Sequence, residues 1–136
     1  MIIEFTIPGE PTGKARPRIT RNGRAYTPGK TVNYENWVKW IYQTEVGDKK
    51  FEDDVALMIL VKAFYPIPKS ASKKKKFEMI KNDIRPTKKP DADNILKIVC
   101  DALNGIAYHD DKQIVCAKIE KLYSLDPRVN VYLREM

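Results

Sequence analysis

The apolar residues of this chain alternate with polar ones in some segments and follow helical spacing in others. Residues 3–7 alternate, which predicts a strand that ends at Pro8. Residues 55–64 form a continuous apolar run, which indicates a strand buried on both faces. Two later segments, 113–123 and 129–133, predict the remaining strands. The pattern therefore predicts a β-sheet.

Two segments carry the signature of an amphipathic helix. Apolar and aromatic residues recur with helical spacing over 31–46. The second helix is predicted to begin with Asp93 as its N-cap and to run to about Asn104. Gly105 follows directly, and glycine is the usual residue after the end of a helix. Its buried stripe is Ile95, Ile98, Val99 and Ala102, and its polar stripe is Asn94, Lys97, Asp101 and Asn104.

The other segments are polar or rich in Pro and Gly. Residues 8–30 are typical of a loop, with a short hairpin around Asn22 and Gly23. Residues 70–81 fit either a basic helix or a mobile loop. No linker or internal repeat divides the 136 residues, so a single domain is predicted. We expect an α+β fold in which helices cover a mixed β-sheet.

Composition excludes several classes of protein. No segment approaches the ~20 apolar residues of a membrane span, and the strand at residues 3–7 leaves no room for a signal peptide. Cys100 and Cys116 lie in apolar sequence and are predicted to be buried thiols of a reducing cytoplasm. With one histidine, two cysteines cannot complete a tetrahedral zinc site without carboxylates, so a zinc finger is not expected.

The charge distribution points to a polyanionic partner. The net charge is +7, yet residues 14–30 alone carry +6 and residues 62–89 carry +8, so the rest of the chain carries −7. Two basic blocks around an acidic remainder favour a nucleic acid as partner. A solvated lysine-rich face is the alternative for either block taken alone.

The acidic residues concentrate between the basic blocks. Five aspartates fall within twenty-one residues: Asp91, Asp93, Asp101, Asp110 and Asp111. Ligand sets made only of oxygen select a hard ion, Mg²⁺ with Mn²⁺ as a substitute. Such an ion next to basic surfaces would polarise a phosphodiester, and Lys97, one turn beyond Asp93, would stabilise the charge that develops on phosphoryl oxygens.

Each of these residues also has a purely structural interpretation. Asp93 alone is explained by an N-cap, and Lys97 with Asp101 by an i, i+4 ion pair. Asp110 or Asp111 can cap a turn. His109 is the only histidine and is expected to be a solvated loop residue rather than a catalytic base.

The segment KPDADNILKIVCDALNG at 89–105, followed by DDKQI at 110–114, resembles the RusA family of Holliday junction resolvases. GKARPR at 13–18 and RAYTP at 24–28 extend the resemblance more weakly. It implies one RusA-like endonuclease domain over 1–136, acting as a homodimer that uses Mg²⁺ to place paired nicks in four-way junctions. It also implies that Asp91, Asp93 and Asp111 are the essential acids and Lys97 the essential lysine, with Asp110 as a neighbouring acid. The lysine-rich segment 69–89 is longer than the family pattern.

The resemblance and the charge pattern together predict a function in DNA recombination and repair, in the cytoplasm and associated with the nucleoid. The metal ligands are predicted to be Asp91, Asp93, Asp110 and Asp111. The residues predicted to bind DNA are Lys14, Arg16, Arg18, Arg24, Lys73, Lys74, Lys75, Lys76, Lys88 and Lys89. Two alternatives remain open: a metal-dependent nuclease for other branched or single-stranded nucleic acid, and a non-enzymatic nucleic-acid-binding protein.

Overall fold

The computed structural model describes residues 1–136, and its elements follow the apolar pattern of the chain. In chain order they are β1 (Ile2–Pro8), β2 (Arg18–Ile19), β3 (Ala25–Tyr26), α1 (Gly29–Glu45), β4 (Leu57–Pro66), α2 (Lys73–Ile80), α3 (Ala92–Leu103), a one-turn 3₁₀ helix (Asp111–Gln113), β5 (Ile114–Ser124) and β6 (Arg128–Glu135). Every predicted strand and helix is present. The hairpin predicted around Asn22 is the two-stranded β2–β3 ribbon, and residues 73–80 are helical rather than a loop.

The main sheet has four strands in the order β1-β6-β4-β5. β4 and β5 are parallel, whereas β6 runs antiparallel to both β1 and β4. The parallel pair needs a long crossover, and the segment that contains α2 and α3 provides it. The predicted α+β domain with a mixed sheet is therefore confirmed.

The helices cover one face of this sheet. α1 packs on β1 and on α3, and α2 and α3 pack on β5. Twenty-six buried residues form one continuous cluster beneath them, which makes the chain a single domain. In β4 buried and partly exposed residues alternate, because no helix covers the other face. The prediction that this strand is buried on both faces is therefore wrong.

α3 begins two residues earlier than predicted. Asp91 is the N-cap residue, with extended backbone angles and no side-chain capping bond, and Asp93 lies inside the first helical turn. The prediction of Asp93 as the N-cap is therefore wrong. A short polar residue precedes the apolar stripe at both positions, so the sequence pattern did not separate them. The C-terminal end is as predicted: Asn104 is the C-cap, and Gly105 has a positive φ of 75°.

The two cysteines have different surroundings. Cys100 is buried, and burial raises the pKa of its thiol to about 12, so the thiol stays protonated and unreactive. Cys116 is exposed on β5, so the prediction of two buried thiols is wrong for this residue. The apolar sequence around Cys116 belongs to an edge strand whose first half is open to solvent. His109 is exposed, as expected. No helix of the chain is both long and apolar enough to span a bilayer.

Candidate active site

A groove lined by basic residues runs along the N-terminal end of α3. Its volume is about 810 Å³, and only one of its fifteen lining residues is hydrophobic. Four cations on its walls, Arg16, Arg18, Lys30 and Lys89, take part in no ion pair. Its two acidic residues are Glu10 and Asp91, of which Asp91 is the N-cap residue of α3. We call this feature the basic groove; its free cations suit a phosphate backbone.

A close approach of the loop at residues 10–16 to α3 forms this groove. A Cβ atom on Gly13 would lie 2.9 Å from the Cβ of Pro90 and 3.1 Å from that of Asn94, so only glycine fits there. The next residue, Lys14, donates its backbone N–H to the carbonyl of Asn94 at 2.8 Å. The N–H of Ala15 is bound by the buried hydroxyl of Thr31 at the start of α1. The loop is thus fixed between two helix starts.

Asp91 and Asp93 are exposed at this end of α3, and neither carboxylate has a hydrogen-bond or ion-pair partner within the chain. Both benefit from the partial positive charge at the helix N-terminus. Tyr65, at the end of β4, donates its hydroxyl to the carbonyl of Pro90. Burial, together with the nearby charge of Asp91, raises the pKa of Tyr65 to about 12. This tyrosine therefore stays protonated as a donor that anchors the start of α3.

Asp111 lies at the opposite end of α3. Its backbone N–H donates to the Asn104 side chain at 2.8 Å. Burial raises the pKa of Asp111, and the neighbouring carboxylates of Asp110 and Asp101 raise it further. Asp110 has the opposite shift, because a hydrogen bond from the N–H of Lys112 lowers the pKa of its carboxyl group. Asp110 thus caps the 3₁₀ helix, one of the structural roles foreseen for it.

A buried glutamine holds the loop that carries these two acids. The Oε1 atom of Gln113 accepts the N–H groups of His109 and Asp110 at 2.9 and 3.2 Å. Its Nε2 atom donates to the carbonyls of Glu52 and Val55 at 3.0 and 3.1 Å. All four hydrogen-bonding positions of the amide are therefore used, and the loop is fixed to the segment before β4.

Lys97 is exposed in the middle of α3 and has no ion pair within 4.0 Å. Asp101 pairs instead with Lys14, whose ammonium group lies 3.3 Å from Asp101 and 3.1 Å from Glu35. The structural explanation of Lys97 as a partner of Asp101 is therefore wrong. Lys14, predicted to bind DNA, directs its charge toward two carboxylates that tie the loop to α1 and α3.

The predicted metal ligands do not meet within one chain. Asp91 and Asp93 are at one end of a twelve-residue helix and Asp111 is at the other, which separates them by about 18 Å along the axis. Two oxygens that share a Mg²⁺ ion can be no more than about 4 Å apart. No group of three or more His, Cys, Asp or Glu residues is close enough to hold a metal. One copy of the chain alone therefore does not fit the predicted ion.

The remaining cations predicted to bind DNA lie in three places. Arg24 is exposed on the β2–β3 ribbon. Lys73, Lys74, Lys75 and Lys76 form the first half of α2 and line no part of the basic groove. Lys88 lies beside the groove residue Lys89, with its ammonium group 6.0 Å from the Tyr123 ring.

Sequence reasoning did not assign roles to Gly13, Asn104 and Gln113. For Gln113 a signal existed: aspartate followed three residues later by glutamine is a capping-box pattern, and Asp110 and Gln113 form one. Asn104 was recognised only as a helix end. Nothing in the sequence distinguishes Gly13 from a glycine in an ordinary loop.

Comparisons with known proteins agree with these features. The family model "Endodeoxyribonuclease RusA" matches residues 8–134. A Bacillus subtilis (strain 168) protein named "Uncharacterized protein YqaN" is 41% identical over 139 residues, which cover 98% of this chain and 96% of that protein. The region matched by the family model contains the basic groove, both ends of α3, strands β4 and β5 and nearly all of β6, whereas only Pro8 of β1 falls within it. The chain belongs to the RusA endodeoxyribonuclease family.

Proposed function

We propose that the protein is a Mg²⁺-dependent, structure-selective endodeoxyribonuclease that resolves four-way DNA junctions by paired nicks during recombination and repair. The observation that carries the proposal is the position of Asp91 in the basic groove. A carboxylate repels phosphate unless a cation lies between them, so an acid among free cations is suited to a metal-assisted reaction on a polyanion. A non-enzymatic DNA-binding surface would have no use for it.

The active site of this proposal is shared between two copies of the chain. Asp91 and Asp93 of one copy and Asp111 of a second copy would hold the ion, because the ends of α3 are too far apart for one copy to do so. In a dimer with two-fold symmetry, a contact between the N-terminal end of one α3 and the C-terminal end of the other occurs twice. The dimer then has two sites, as two symmetric cuts require.

Within such a site the roles of the chain's own residues follow from their surroundings. The ion, when bound, would supply Lewis-acid activation of the phosphodiester and of the attacking water. Arg16, Arg18 and Lys89 would bind and orient the phosphate backbone. Lys97 has no competing carboxylate partner, so its ammonium group is free to stabilise negative charge on the scissile phosphate.

Mixing two inactive variants tests the shared site. Asp91→Asn and Asp111→Asn, co-expressed with different tags, should form heterodimers in which one site has all its aspartates and the other lacks two. Random pairing gives about one quarter of the wild-type sites. We expect Mg²⁺-dependent nicking of a labelled four-way junction to return, without full resolution, because one intact site cuts one strand.

The control pairs Asp91→Asn with Asp93→Asn. Both changes affect the same end of α3, so no intact site can form and no nicking should return. Failure of the first mixture, with heterodimers present, would contradict the shared site. A wild-type protein that cuts flaps or single strands as readily as junctions would contradict the junction substrate, and one that cuts nothing in Mg²⁺ would contradict the nuclease proposal.

A further inference from the structure

Two tryptophans form an exposed aromatic platform on α1. Trp37 and Trp40 lie one turn apart, and their rings stack almost in parallel, with centroids 5.6 Å apart and an angle of 8° between the planes. They are the only tryptophans in the chain. The exposed fraction is 37% for Trp37 and 56% for Trp40. Neither ring therefore belongs to the buried face of α1, which packs on β1 and α3. We call this pair the tryptophan platform.

The fold accounts for one of these rings and not for the other. The indole N–H of Trp37 donates to the carbonyl of Pro8 at 2.9 Å, which ties α1 to the end of β1 and fixes the ring. Trp40 stacks on Trp37 and is more than half exposed. Contiguous aromatic surface that stays in water is typical of binding sites. Trp40 thus presents a flat aromatic face that the fold leaves open.

The platform lies in line with the basic groove. Lys30 lines the groove at the start of α1. Asn33, Trp37 and Trp40 follow it at spacings of three or four residues. Residues with this spacing share one face of a helix. At a rise of 1.5 Å per residue, Trp37 lies about 10 Å and Trp40 about 15 Å beyond Lys30 along the axis. The platform and this wall of the groove therefore occupy the same face of α1.

The surface of α1 around the platform suits a nucleic acid strand. The exposed residues within 32–44 carry no charge, and the partly buried Glu35 is paired with Lys14, so no free carboxylate there repels phosphate. Each tryptophan is preceded by an exposed asparagine one turn earlier, Asn33 or Asn36. Asparagine amides bind the edges of bases, and every base has a flat face that stacks on an aromatic ring. The surface therefore provides partners for both parts of a base.

We propose that Trp37 and Trp40 form a stacking site for unpaired bases of the DNA strand whose phosphates occupy the basic groove. A stacked strand advances about 3.4 Å per nucleotide, so the platform accepts a base about three or four nucleotides from the phosphate at Lys30. Extrusion of a base costs least where pairing and stacking are already interrupted, as at a branch point. The site thus favours branched or single-stranded DNA over continuous duplex. The inference rests on the proposed function for its choice of DNA as the ligand.

The fluorescence of the wild-type protein tests this site, because both tryptophans of the chain lie in it. The probe is a single strand of about a dozen thymidines, compared with a strand of equal length and charge that lacks every base. The thymidine strand should quench the fluorescence. By anisotropy of a dye-labelled strand, it should also bind at least about tenfold more tightly than the abasic strand, which offers phosphates only. Equal affinity or equal quenching with the two strands would overturn the inference, and is the result expected of a platform that binds a protein instead.

Variants of Trp40 assign the preference for bases to the platform. Trp40→Ala should bring the affinity for the thymidine strand close to that for the abasic strand, whereas Trp40→Phe keeps a ring and should retain most of the preference. Phe77→Ala is the matched control, since Phe77 is 64% exposed on α2, which packs on the sheet edge opposite β1. A preference as large in Trp40→Ala as in the wild type would overturn the inference. The comparison of the two strands needs no variant, so it holds even if Trp40→Ala does not fold.

The stacking site and the proposed function fail separately. Base-dependent quenching by a protein that cuts no junction in Mg²⁺ would support the stacking site and contradict the nuclease. Junction nicking by a wild type without any preference for bases would support the nuclease and reject the stacking site.

Discussion

The two ends of α3 carry the same kind of side chain in opposite surroundings. At the N-terminal end Asp91 and Asp93 are exposed and have no partner in the chain, and Asp91 lines the basic groove with its free cations. At the C-terminal end Asp101 is paired with Lys14, Asp110 caps a 3₁₀ turn, and Asp111 is held by Asn104. One end is open to a ligand, whereas the other is a prearranged network of acids.

This difference shows how one helix can serve two halves of a site. The open, N-terminal end gains from the helix dipole, and its carboxylates have no partner within the chain. At the closed, C-terminal end, burial and like-charge repulsion disfavour the ionised carboxyl group of Asp111. Amide side chains are therefore needed to hold its loop in place. Neither end has enough ligands alone.

The largest expected effect comes from removing an acid at either end. Asp91→Asn, Asp93→Asn and Asp111→Asn should each lower the rate of junction nicking on the order of 10³-fold, because each loses a metal ligand. Binding of the junction should persist or improve, since each change removes negative charge. Gel-shift and nicking assays measure both, with Asp126→Asn in the β5–β6 turn as the control. An aspartate whose replacement leaves nicking intact would not belong to the site.

Replacing Lys97 is predicted to reduce activity, whereas replacing Lys14 is predicted to reduce stability. Lys97→Ala should lower nicking about 10²-fold at an unchanged melting temperature, because the residue has no internal partner. Lys14→Ala should lower the free energy of unfolding by about 1 kcal/mol, because Glu35 and Asp101 lose the cation that joins them. Metal binding should survive in Lys97→Ala. Equal losses of stability in both variants would assign Lys97 a structural role.

Replacing Gln113 at the closed end should lower the free energy of unfolding more than replacing any single amide side chain at the open end. Gln113→Ala leaves four backbone groups without their partner, which should cost about 2–3 kcal/mol of unfolding free energy and also reduce nicking. Chemical denaturation gives the first value. Asn94→Ala at the open end is the comparison and should cost less. A variant of Gln113 with wild-type stability would show that the loop is held by other contacts.

The salt dependence of junction affinity distinguishes the basic groove from α2. Each phosphate contact contributes about 0.9 to the slope of log affinity against log salt, so Arg16→Ala with Arg18→Ala should flatten it by about 1.8. Neutralising Lys73, Lys74, Lys75 and Lys76 should flatten it as well. Lys49→Ala with Lys50→Ala serves as a control. An unchanged slope in the quadruple variant would place α2 away from the DNA.

The sequence range of each interaction decides whether the fold and the site could be predicted from the sequence. Alternation and helical spacing are local, so the strands, the helices and the end of α3 at Asn104 were predicted from sequence. The N-cap was misplaced because Asp91 and Asp93 offer the same local signal. The partner of Asp101 was misassigned because Lys14 is 87 positions away, and only folding brings it closer than Lys97. Burial of Cys116 was wrongly expected because strand order decides which apolar strand lies at an edge.

The smallest effect is a gain of stability when function is lost. The folded state raises the pKa of Asp111, so its ionised form at neutral pH costs folding free energy that is absent below the ordinary pKa of 3.8. Asp111→Asn should therefore melt on the order of 1–3 °C above the wild type at pH 7 without metal. The gap should narrow as the pH falls toward that value, because the wild-type carboxyl then becomes neutral. Asp91→Asn should show no such gain, since Asp91 is exposed. Calorimetry across pH decides it, and a destabilised Asp111→Asn would mean that its charge supports the closed end.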